Sequence, residues 1–225
     1  MLSALFKAFA QLGDPALRRV LRTGILAALG CWLGLAVAAH MVVHRMHLFD
    51  AEWADTGAGV ALGLTAFVVP ILFFSALATF VMSFGLDEVA RVVEARHYPG
   101  LPPARAVGWR ETLAGSARFL AVMVVVTTVA APLYLALMLV GFGVALNYLV
   151  NGYLLGREYF ELVAGRRLDP AAVALARRNH AGRLWLCGAI INFLFQVPLL
   201  NLTAPVIATA FMVHVVRAMG YSSPP

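Results

Sequence analysis

Arg18, Arg19 and Arg22 follow directly on Asp14-Pro15, and they are the densest group in the chain with an obvious chemistry. An oxyanion that leaves water needs fixed donors and positive charge, and a helix N-terminus with guanidinium groups supplies both. Asp14 can cap a helix and Pro15 suits its first turn, so a helix starting at Pro15 is expected. On it Arg18 and Arg22 share a face and Arg19 is turned by about 100°, which lets one ion touch two of the three. The same group also fits an arginine cluster that only fixes orientation at a membrane surface.

Other constellations carry less. His40, His44 and His47 with Met41 and Met46 have a spacing that can share a metal ion, with Asp50 or Glu52 completing the set. The alternative is the end of a membrane span at the interface, and no metal is expected. No phosphate-binding Gly-rich Lys loop, nucleophile elbow, zinc-protease helix or paired-cysteine motif occurs. The chain is therefore expected to be no enzyme, with no catalytic residues and no cofactor. Cys31 and Cys187 both lie in uncharged surroundings and read as packing residues.

The elements that must position these groups are membrane elements. Of 225 residues, 62% are hydrophobic and 12% charged, far from soluble-domain composition. Four runs, residues 23–44, 56–86, 119–156 and 184–216, contain no Asp, Glu, Lys or Arg. Each exceeds the roughly 20 apolar residues of a spanning helix. The net charge of +6 sits beside these runs, where it anchors orientation and meets anionic lipid, so nucleic acid is not expected as a partner. Ala36-Val37-Ala38 imitates a signal-peptidase site, but the first run is long and late enough to be a retained span.

Ahead of it, Leu2, Leu5, Phe6, Phe9 and Leu12 recur at helical spacing, the pattern of an amphipathic helix lying in the interface. The loop at 44–55 holds one Arg against three acids and should be outside. Past the second run, Asp87, Glu88, Arg91 and Glu94 can pair on a helix that Tyr98-Pro99-Gly100 ends.

The third run, about 38 residues, would reach about 57 Å as one helix, nearly twice a hydrocarbon core of about 30 Å. It must bend back, at Pro132 or at Gly141-Phe142-Gly143. Arginines flank both of its ends and both ends of the fourth run, which has Pro198, Asn201 and Pro205 in its middle. The positive-inside rule places all four ends on one side. The expected fold is all-α: two full transmembrane helices, two partly penetrating hairpins, a surface helix from Asp169-Pro170, and an N-terminal interfacial helix. Segments such as 119–131 are short for full crossings; up to six crossings is the competing topology. Gly30 with Gly34, Gly59 with Gly63 and Gly152 with Gly156 have spacing for close helix approach.

Local motifs add a resemblance. Pro198-Leu199-Leu200-Asn201, Pro205-Val206 and Thr209-Ala210 resemble the C-terminal pattern of the CysZ sulfate permease family, which belongs with the broader etoposide-induced-protein-like membrane domain. Pro15-Ala16-Leu17-Arg18-Arg19 resembles its Pro-Gly-Leu-Arg-Arg element, and the stretch from Asn151 through Tyr159 is similar to bacterial members. Asp14 before the proline and Ala16 in place of glycine depart from the pattern.

The resemblance implies one membrane domain over residues 1–225, a multi-pass homo-oligomer in the bacterial cytoplasmic (inner) membrane that passes sulfate or a related oxyanion towards sulfur assimilation, while the basic bias, not the resemblance, puts both termini on the cytoplasmic side. Arg18 and Arg19 match the family's sulfate-binding arginines, and Arg22 joins them on the helix. Pro198, Asn201 and Pro205 would form a hairpin tip. Sulfate and membrane lipids are the implied partners. A non-transporting membrane scaffold of the same fold is the alternative.

Overall fold

The computed structural model describes residues 1–45, 82, 85–105 and 108–221, all of whose regular elements are helical. Helix α1 (Leu2–Ala10) passes through a 3₁₀ turn (Gln11–Gly13) into α2 (Pro15–Arg45). Then come α3 (Leu86–His97), α4 (Trp109–Leu139) and α5 (Gly143–Ala164). The chain ends through α6 (Pro170–Asn179), α7 (Ala181–Gln196), α8 (Pro198–Asn201) and α9 (Ala204–Ala218).

The local signals act as their chemistry requires. Asp14 accepts from the Ala16 amide at 2.9 Å, satisfying a donor that the helix itself cannot use. Asp169 does the same for α6 through Ala172 at 2.7 Å, with Pro170 in the first turn. α3 stops at His97, and Gly100 turns the chain with a φ of +94° that disfavours side chains.

The core forms around α9, whose residues from 204 to 216 are all buried. α1, α3, α5 and α7 pack against it. α1 turns Ala4 and Ala8 inward and leaves Leu2 and Phe6 exposed, at 69% and 72%, as an apolar outer face. That is the two-sided arrangement of an interfacial helix.

α5 and α7 form the tightest helix pair because three glycines meet there. A Cβ on Gly188 would collide with the Gly152 carbonyl oxygen and the Gly156 nitrogen, and one on Gly156 with the Leu184 carbonyl. Two polar contacts tie the same pair: Asn192 and Gln196 both donate to Asn147 Oδ1, at 2.8 and 3.0 Å. Amide groups in an apolar run are thus satisfied across helices. Gly30 and Gly34 have nothing described within 4 Å, and Gly59 and Gly63 lie outside the described residues.

The third run departs from the expectation of two short limbs. α4 continues as helix through Pro132, and the turn falls at Gly141, whose φ is +79°. Proline removes one backbone donor and bends a helix, whereas a positive φ reverses it, so the glycine decides where the chain turns. The segment Leu113–Leu139 has 27 residues, a mean hydropathy of 2.3 in its most apolar window and none of that window buried, and is long and apolar enough to cross a bilayer. Its first limb is therefore not too short to cross. α2 has 31 residues, about 46 Å of helix. The second run lies almost wholly outside the described residues; where it re-emerges, Met82 packs on Ala28 and its side chain fills the space beside Gly24.

Candidate functional site

Arg18, Arg19 and Arg22 lie in the first two turns of α2 with exposed side chains. Arg18 Nε donates to the Leu12 carbonyl at 3.1 Å, holding the guanidinium back over the preceding turn. Arg19 is close enough to α3 to help lower the Glu88 pKa. The nearby carboxylates are committed elsewhere. Asp14 caps the helix and pairs with Arg96 at 2.5 Å; the Ala16 amide first, then Arg96, outweigh desolvation and hold its carboxyl below the usual range. Glu88 is engaged by both Nε and Nη2 of Arg91.

A second arginine group is buried, and nothing in the local sequence pattern announces it. Glu94 of α3 does not pair with its helical neighbour Arg91. It receives Arg167 Nη2 at 2.9 Å and Nε at 3.2 Å, and Arg217 Nη2 at 2.5 Å, with Arg166 Nη2 at 3.6 Å. The Glu94, Arg167 and Arg217 side chains are nearly dry, at 5%, 8% and 5% exposure. Arg166 also reaches Asp87 at 3.1 Å, and Arg167 donates to the Pro102 carbonyl. Desolvation pushes the Glu94 carboxyl up, but hydrogen bonds from Arg167 and Arg217 more than offset it, and its pKa falls below the glutamate range. These contacts bridge residues 73 and 123 positions apart and tie α3 to α9 and to the turn after α5. Arg157 and Arg177 share Glu161 nearby, at 2.8 and 3.3 Å.

Beside this cluster His214 Nε2 accepts from Gln11 Nε2 at 2.8 Å, and His214 Nδ1 bonds the Tyr98 hydroxyl at 2.8 Å. His214 thereby bridges the 3₁₀ turn, α9 and the end of α3.

Pro198 opens α8, Asn201 closes it and Pro205 stands in the first turn of α9. The three therefore sit in the reversal between α7 and α9, where the Thr203 amide and its Oγ1 both donate to the Leu200 carbonyl, at 2.9 and 3.0 Å. Leu202 of this reversal packs on the small cluster of Ala28 and Met82, as do Leu21 and Ile25 of α2. His40 and His44 lie on α2, and His47, Asp50 and Glu52 are outside the described residues.

Comparison with curated proteins and with solved structures gave no match. The family described as sulfate transporter CysZ/etoposide-induced protein 2.4 matches residues 4–205, from α1 to the first turn of α9. Most of the chain is covered, including the arginines of α2, the glycine-paired helices and the hairpin reversal, and the chain belongs to that family.

Proposed function

We propose that the chain is an inner-membrane permease for sulfate or a related oxyanion, with Arg18, Arg19 and Arg22 as its anion-binding face. The observation that carries the reading is a cationic face that no carboxylate neutralises among the described residues at the start of a membrane helix, its neighbouring carboxylates already bound to Ala16, Arg96 and Arg91. Family membership supports the substrate class. The bond from Gln11 to His214 and the packing of α1 on α9 support both ends of the chain lying on one side, the cytoplasmic one by charge bias. The wide apolar surface of α4, with Leu135 at 70% and Leu139 at 89% exposure, suits lipid or another copy in a homo-oligomer.

None of the four uncharged runs contains a carboxylate for a proton relay. Moving a dianion inward against an inside-negative potential costs about 4.6 kcal/mol per 100 mV. A passive route then needs a gradient that consumption of the ion maintains.

The test is labelled sulfate flux into proteoliposomes, for the wild type and an Arg18→Ala, Arg19→Ala double variant, with chloride and phosphate as competitors. Saturable flux lost in the variant is expected. Flux no higher than in empty liposomes, from correctly inserted protein, would refute the permease and turn the reading to a membrane scaffold, for which one stable envelope partner should then co-purify.

A further inference from the structure

We infer that the cavity between α1, the end of α3, α7 and α9 is a second oxyanion site, separate from the arginine face of α2. It measures about 220 Å³, room for a polyatomic anion with some of its water. Ser3, Lys7, Tyr98, Arg183, His214 and Arg217 contribute its polar lining, and among the described residues no Asp or Glu does. Lys7 and Arg183 thus converge on one cavity, with Arg217 behind them paired to Glu94.

Arg217 is buried and held by the protein itself. Its Nη2 is spent on Glu94 and its Nη1 on the Tyr221 carbonyl at 2.8 Å. Its Nε is buried with no partner, although the side chain is only 5% exposed. Arg217 thus adds fixed positive charge to the wall and donates no bond into the cavity. Glu94 cannot neutralise the site, because its single charge is already divided among Arg166, Arg167 and Arg217. His214, held on both nitrogens, fixes the Tyr98 hydroxyl at the wall.

An oxyanion bearing several acceptor oxygens fits this lining: Arg183, Lys7 and the Ser3 hydroxyl can each donate to one. Such a group comes either from a free ion, sulfate or phosphate, or from a lipid headgroup phosphate reaching under the interfacial helix α1. The inference does not rest on the permease reading, and binding rather than flux tests it.

The experiment measures equilibrium binding of radiolabelled sulfate and of inorganic phosphate to the purified full chain in detergent, in an Arg18→Ala, Arg19→Ala background. Lys7→Gln and Arg183→Gln should each weaken binding about tenfold, the scale of one lost charge-assisted hydrogen bond. The charge-keeping pair Lys7→Arg with Arg183→Lys should retain it, and unfolding temperatures should match because neither residue belongs to the Glu94 cluster. Added phosphatidylglycerol that displaces the label assigns the site to a headgroup; label retained in its presence assigns it to the free ion. Binding of all three probes that is indifferent to Lys7 and Arg183, or absent, overturns the inference.

Discussion

Two arginine groups, one around Glu94 and one at the head of α2, use the same side chain in opposite ways. Arg167 and Arg217 are buried, and a single carboxylate holds both. Arg18, Arg19 and Arg22 stay at the surface while the carboxylates near them serve a helix cap and other guanidinium groups. The first group has little freedom to meet a ligand, since moving it would strand a dry charge. The second can exchange water for an anion at small structural cost. Burial and partner, not residue type, separate a structural arginine from one free to bind.

The sharpest way to break this contrast is Glu94→Ala. It leaves Arg167 and Arg217 buried without their counter-charge and should cost about 3–5 kcal/mol, seen as a collapse of the detergent unfolding midpoint. Survival of the midpoint would show that the cluster is wetter than its geometry. The same contact sets a pH dependence. The Glu94 pKa is lowered on folding, so its stabilisation is fully present above the unfolded value of about 4.3 and is lost as pH falls through the folded value. Glu94→Gln should flatten that acid limb, and an unchanged acid limb would place the effect on other carboxylates.

Gly188→Ala forces apart the α5–α7 pair that carries α9 and should cost about 1–3 kcal/mol without touching either arginine group. Its effect on sulfate flux then reports how far the surface face depends on the core beneath it. Asp14→Ala removes the α2 cap and should cost about 1 kcal/mol. It also unmasks positive charge beside Arg18, so flux at low sulfate should hold or rise; a fall in flux would make the cap part of the binding face. Arg18→Ala with Arg19→Ala should move stability least, by no more than about 0.5 kcal/mol, while abolishing flux. A large loss of stability there would erase the distinction between the two groups.

Much of the fold was legible because its signals are local. Asp14-Pro15 and Asp169-Pro170 start helices, Gly100 ends the turn after α3, and Glu88 with Arg91 pairs within one turn. Gly152 and Gly156 suggested a close approach, and Gly188, which completes it from α7, carried no comparable signal. Pro132 looked as able to break the third run as Gly141, because sequence does not say whether a proline only bends a helix. Glu94 read as one more surface partner for a helical neighbour, while its actual partners come from positions far along the chain.

The sequence by itself determined a membrane protein, its uncharged runs, its helix starts and the basic character of its ends, since hydropathy, capping and charge bias act over a turn or a bilayer thickness. Only the tertiary structure decided which arginines are neutralised, which glycines touch, where the third run turns and that Lys7, Arg183 and Arg217 line one cavity. Those outcomes depend on distances between segments up to two hundred residues apart, and such distances are fixed by packing around α9.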